Sequence, residues 1–162
     1  YTLTPVQAGV FTAAPFVFAA LGNWGAGMLV DRIYRQGRWV LSRRAPAMVG
    51  FFLAAVGLVI SVYMQHPVTA VVFFSLALFG ADMTLPPSWS LCIDIGRKHS
   101  GAVSGTMNMA GNIGSFLTGL AFPYLQDWTG SNVPFFFVGA GLNLMALVLW
   151  AFVRPDKALE EY

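Results

Sequence analysis

Five apolar stretches, each long enough to cross a bilayer, decide what this chain can fold into. They run approximately from Val6 to Val30, Pro46 to Met64, Val68 to Ile93, Gly101 to Leu125 and Val133 to Val153. A membrane-spanning helix needs about 20 predominantly apolar residues. Barrel strands instead alternate over about 10 residues, and these stretches do not alternate. In lipid every backbone polar group must be satisfied inside the segment, which a helix does by itself. The expectation is an all-α membrane protein, 1–162, with five transmembrane helices (6–30, 46–64, 68–93, 101–125 and 133–153) and a basic loop at 31–45. Composition excludes the main alternatives: 57% of the residues are hydrophobic, 10% are charged, and the mean hydropathy is +0.66. A soluble chain of this size has too much surface for its volume to hide that much apolar side chain. A net charge of +2, scattered along the chain, gives no footprint for nucleic acid.

Lys and Arg fall in alternate gaps. The first gap holds Arg32, Arg35, Arg38, Arg43 and Arg44, the third holds Arg97 and Lys98, and the tail holds Arg154 and Lys157. The second gap, Gln65-His66-Pro67, and the fourth, 127–132, hold none. Positive charge stays on the cytoplasmic side. The pattern therefore predicts a multi-pass protein of the plasma membrane (a bacterial inner membrane), N-terminus outside and C-terminus in the cytoplasm. The chain opens at Tyr1 with no basic leader, and a first helix entering from outside is expected to follow other helices. The expectation is a C-terminal piece of a larger polytopic protein.

Two spans carry polar residues where a bilayer disfavours them. In the third, Asp82, Thr84, Pro86-Pro87 and Ser88-Trp89-Ser90 follow a plain apolar run. Proline donates no backbone hydrogen bond, so the carbonyls of Asp82 and Met83 lose their helical partners. Broken helices with polar residues at the break are how transporters build sites. Asp82 is either a functional intramembrane carboxylate or one that is solvated or locally paired near a helix end. In the fourth span, Ser104, Asn108, Asn112 and Ser115 recur at steps of four, four and three and share one helical face. They either line a cavity or bond to a neighbouring helix. Gly101, Gly105, Gly111, Gly114 and Gly119, beside this stripe, allow close packing.

The other spans read more plainly. In the first, Gly22, Gly25 and Gly27 form a packing seam, and Asp31 and Arg32 sit at its border as a local ion pair or a pair with another helix end. The second reads as lipid-facing filler, and the fifth as similar. Asn132 is a candidate N-cap before Val133-Pro134, and Tyr124, Trp128 and Trp150 are interfacial anchors. His66 and His99 fall in loops. The lone cysteine, Cys92, excludes an internal disulfide. No nucleophile–base set, metal-ligand spacing or phosphate-binding loop is visible, so no catalytic residue, cofactor or metal is expected.

Taken together, these features resemble the C-terminal half of a major facilitator superfamily transporter, helices eight to twelve. Gly27-Met28-Leu29-Val30-Asp31-Arg32 is similar to the family's G-x-x-x-D-R motif, although the following Gly37-Arg38 and Arg43-Arg44 come later than in the usual pattern. Pro87-Ser88-Trp89-Ser90, Asp94-Ile95-Gly96 and the run from Gly101 to Gly114 are similar to the anion:cation symporter branch, which carries sugar acids, hexuronates and other organic anions. The resemblance implies proton- or sodium-coupled uptake of a small organic anion by alternating access, with Trp89, Ser90, Asn108 and Asn112 touching substrate. It implies conformational roles for Gly27, Asp31 and Arg32, and leaves Asp82, Ser104 and Ser115 as possible coupling or cavity residues. The partners implied are the anion, a coupling cation, the N-terminal helices of the same protein and the bilayer. The alternatives are a facilitator of another branch, for a sugar or drug, and a non-transporting membrane subunit or truncated product.

Overall fold

A computed structural model describes residues 4–159. Its helices are α1 (Pro5–Arg35), α2 (Trp39–Tyr63), α3 (Pro67–Met83), α4 (Leu85–Gly96), α5 (Ser100–Thr129) and α6 (Val133–Ala151), with a 3₁₀ turn at Arg97–His99. No strand occurs among the described residues, and the all-α membrane class holds. The expected count of five helices does not. There are six α-helices, and they lie in four runs long and apolar enough to cross a membrane: Ala8–Arg35, Trp39–Tyr63, Pro67–Thr129 and Val133–Ala151.

The third run is 63 residues long. Straight, it would reach about 95 Å, three times a bilayer core of about 30 Å. It bends twice instead. At Thr84 the chain keeps right-handed helical angles, and the Thr84 N–H turns back to Ala81 O at 3.1 Å. The two prolines then occupy the first turn of α4, where a missing donor does no harm. The break is thus a kink, not an unwound segment. At Arg97 the backbone takes φ +44°, the one positive φ at a described non-glycine residue. There the chain reverses, and α5 packs back along α4.

The basic stretch 31–45 is mostly helical. Only Gln36-Gly37-Arg38 separates α1 from α2, and Gly37 takes φ +77°, which glycine adopts without a Cβ clash. Arginine is a good helix former, so Arg32, Arg35, Arg43 and Arg44 ride on helix ends. A left-handed Gly130, φ +67°, closes α5. The predicted cap at Asn132 makes no side-chain cap bond. Ser131 Oγ accepts the Val133 N–H instead, at 3.2 Å.

The reading of the second span as lipid-facing filler is overturned. α2 is the hub: it packs against α1, α3, α4 and α6. Ala47, Gly50, Ala54, Gly57 and Ser61 are all buried, at steps of three and four that put small residues on one face. At Gly50 an added Cβ would lie 2.5 Å from Gly80 O, and at Gly57 it would lie 2.6 Å from Ala77 N. At Gly22 it would collide with Phe79 O. So the seam expected in α1 exists at Gly22, against α3. Around Gly25 and Gly27 an added Cβ would meet nothing within 4 Å.

Candidate functional site

The kink at Thr84 makes α4 a short arm of 12 residues that begins at membrane depth and ends at the basic end of the bundle. Its start is tied back locally: Thr84 Oγ1 donates to Ala81 O at 2.7 Å, and Ser88 Oγ donates to Thr84 O at 2.6 Å. Both carbonyls also accept backbone N–H groups, from Thr84 and Ser88 respectively, so the hydroxyls reinforce the turn and leave the carbonyls of Asp82 and Met83 to other partners. Asp82 lies just before the kink, half-buried, with no ion pair among the described residues.

Two faces of the arm differ. On one, Cys92 Sγ lies 3.4 Å from Met107 Sδ of α5, and an added Cβ at Gly96 would lie 3.1 Å from Val103 Cγ2. These pairs fix an antiparallel register between α4 and α5, which sets Trp89 level with Asn108 and Asn112. Trp89 is 44% exposed on this side. Ser90, half-buried, shares the opposite face with Asp94, four residues on. The structure therefore puts Trp89, Asn108 and Asn112 at one height and turns Ser90 toward α2.

α5 itself holds no buried residue. Asn108 and Asn112 are exposed, and Ser104 is half-buried. Asn112 Nδ2 donates to Asn108 O at 3.0 Å, and Ser115 Oγ donates to Gly111 O at 3.1 Å, so both bonds stay within the helix. The asparagines are not glue between described helices. The glycines beside them, at 101, 105, 111, 114 and 119, have nothing within 4 Å of an added Cβ. Asn108, Asn112, Ser115 and the small-residue flank face open space, while Ser104 is half-buried against Cys92 of α4.

Sequence reasoning missed the densest polar cluster. At the basic end, Arg43 Nε donates to Asp94 Oδ2 at 2.7 Å, with side chains 10% and 15% exposed. Arg43 Nη2 lies 3.4 Å from Asp94 Oδ1, and Trp39 Nε1 donates to Oδ2 at 3.0 Å. The Arg43 guanidinium also stacks over the Tyr34 ring at 5.2 Å. Trp150 Nε1 donates to Arg43 O at 2.9 Å, and Arg44 Nε to Val153 O at 2.7 Å. Ends of α1, α2, α4 and α6 thus meet at Arg43. The signal was present as Trp39 and Arg43, four apart and so on one helix face. It was hidden because that stretch read as a loop and its arginines as topology charges. Trp150, read as an interfacial anchor, is a donor in this cluster.

Asp31 and Arg32 do not pair. Both are exposed, and they line, with Met28, Arg35 and Gln36, a shallow surface cavity of about 430 Å³. Consecutive helix residues point in different directions.

A tight small-residue bundle, a proline-kinked arm and an exposed polar helix define an integral membrane protein of the transporter kind, and sequence comparison gives the family. Residues 1–161 match the Major Facilitator Superfamily, and the chain belongs to it. The family consists of transporters, not enzymes. The chain is 34% identical over 151 residues to the probable sulfoacetate transporter SauU of Cupriavidus necator, covering 92% of this chain and 35% of that protein. It is 28% identical over 158 residues to the probable galactarate/D-glucarate transporter GudP of Escherichia coli, covering 96% and 35% respectively. It is 28% identical over 145 residues to the probable anion transporter 3, chloroplastic, of Arabidopsis thaliana, covering 89% and 28%. These relatives agree with the anion:cation symporter branch of the superfamily. The chain spans about a third of their length.

Proposed function

We propose that these helices are the C-terminal part of a secondary active transporter that takes up a small organic anion, such as a sugar acid, by alternating access coupled to protons or sodium. The observation that carries this reading is the uncovered polar stripe of α5 beside the kinked arm of α4. A helix that buries nothing, yet carries two asparagines among glycines, has a second wall to meet. In secondary transporters the substrate site lies near the midplane, at the interface of two repeats. Asn108, Asn112 and Trp89 would form this chain's share of that wall, with Ser90 on the arm's other face. Asp82, Ser104 and Ser115 would border the same path. Gly27, Asp31 and Arg32 would meet the other repeat at the basic end. That end would face the cytoplasm of a bacterial inner membrane, and the N-terminus of α1 the outside.

The test is uptake of radiolabelled galactarate, glucarate and sulfoacetate into proteoliposomes, with and without imposed proton or sodium gradients. The chain is expressed together with the coding sequence upstream of it. Saturable, gradient-driven uptake of one of these anions is expected, with no uptake by the 162-residue chain alone. Uptake of a neutral sugar in their place would assign another branch. Robust uptake by the short chain would overturn its reading as part of a site.

A further inference from the structure

Two side chains of one helix meet on the Asp94 carboxylate. Oδ2 accepts from Arg43 Nε at 2.7 Å and from Trp39 Nε1 at 3.0 Å, both on the first turns of α2. The arm that Asp94 ends also packs against α1 and α5, with Pro87, Cys92 and Gly96 buried. Its first turn is the proline kink, and its α5-facing side rests on Cys92, Met107, Gly96 and Val103. The geometry points to Trp39 as a positioning residue: a second donor that holds Asp94 in register with Arg43 and so keeps the α4 arm closed against α2.

The argument is one of direction. A guanidinium alone can follow a carboxylate, because its stem has several rotatable bonds and it carries five donors. An indole has one donor and two side-chain torsions, and it is rigid. With both on Oδ2, the carboxylate is fixed at a point and not on an arc. Tyr34 limits the guanidinium from α1, its ring centroid 5.2 Å from Cζ, and the Arg43 main-chain carbonyl is held by Trp150 of α6. The ends of α1, α2 and α6 thus form one socket for the Asp94 end of the arm. Leu91, half-buried and one turn before Asp94 on the same arm, gains exposure if the arm leaves α2. That the arm also carries Trp89 and Ser90 matters for substrate only if the function proposed above holds. The clasp itself does not depend on that reading.

The experiment reads the arm without substrate. Leu91→Cys is introduced into the chain in a Cys92→Ala background, reconstituted in vesicles. A membrane-impermeant maleimide is added from the basic end. Trp39→Phe keeps the ring bulk and removes the donor. Labelling at position 91 is expected to rise about tenfold, the lower end for one hydrogen bond lost to a charged acceptor. A control cysteine at Ala54, 2% exposed in the α2–α3 seam, is expected to stay unlabelled. In an Asp94→Ala background, Trp39→Phe is expected to add nothing further. An unchanged rate at position 91 would overturn the inference. So would an equal rise at position 54, which reports general loosening, or an undiminished effect of Trp39→Phe without Asp94, which reports packing only. Should the Asp94→Ala chain fail to fold, hydrogen exchange of the Trp39 indole N–H decides. Slow exchange supports the clasp, and exchange as fast as that of Trp128, 86% exposed, overturns it.

Discussion

α2 and α5 are close in length, 25 and 30 residues, and both are rich in glycine and alanine, yet they live in opposite surroundings. Nine residues of α2 are buried, and none of α5 is. The glycines of α2 admit the backbone of α3 at distances no side chain tolerates, whereas those of α5 border empty space. The difference teaches how to read small residues in lipid. Lipid tails are as apolar as leucine, so glycine in a membrane helix marks close approach between helices and not hydrophobic gain. Where the approaching helix is present, as at Gly50 and Gly80, the seam is closed. Where no described helix approaches, as along α5, the same pattern stays exposed and carries two asparagines.

The largest effect is expected where α2 holds its neighbours. Arg43→Gln leaves Asp94 without its charge partner in a nearly buried place. Breaking a buried pair from one side costs about 3–5 kcal/mol. Thermal unfolding of the chain in detergent should show this loss, and Arg43→Gln combined with Asp94→Asn should show less of it. A double variant that is worse than either single one would mean that the pair is not a coupled unit.

Next comes the seam. Gly80→Val places a Cβ 2.5 Å from Gly50 O and 2.6 Å from Ala54 N, both backbone atoms that cannot swing away. Overpacking of this kind costs about 3 kcal/mol. A melting temperature within a degree or two of wild type would show that α2 and α3 are not in contact there.

How far could this be seen in the residues alone? The helices could, because runs of about 20 apolar residues in lipid have one solution. The kink in the third span could too, because Pro86-Pro87 removes two donors whatever surrounds them. The face of α5 was legible from the spacing of Ser104, Asn108, Asn112 and Ser115. What could not be read was which seam is occupied. Gly50 and Gly57 looked like filler, and Gly101 and Gly105 looked like a contact, since periodicity gives a face but not the identity of what meets it. The basic-end cluster was illegible for a related reason. Arg43 and Asp94 are 51 residues apart, and the turn between α2 and α3 and the kink at Thr84 bring them together.

The asparagines of α5 separate binding from folding. On the function proposed above, Asn108→Ala or Asn112→Ala in the chain expressed with its upstream coding sequence should weaken anion binding by about 1.5–3 kcal/mol, roughly 10- to 150-fold, for one hydrogen bond to a charged ligand. Stability of the 162-residue chain should change by less than about 0.5 kcal/mol, as for surface positions without cross-helix bonds. Equilibrium binding by scintillation proximity, beside a melting curve, checks both. Normal binding with a lowered melting temperature would make these residues structural after all.

The smallest effect is the sharpest test of the comparison. Gly111→Ala adds a methyl group where nothing lies within 4 Å, in the interior of a helix. Alanine restricts the unfolded backbone and favours the helix over glycine by about 0.5–1 kcal/mol. In the chain alone the substitution should therefore raise the melting temperature slightly, in contrast to Gly80→Val. In the longer polypeptide the sign should reverse if another helix lies against α5, because the same methyl would then hold two backbones apart. Matched melting curves of the two forms decide it. A destabilised short chain would show that α5 already has a close neighbour. A stabilised long form would show that the glycine flank of α5 faces lipid or water even in the assembled protein, with the stripe of Asn108 and Asn112 alone turned to the partner.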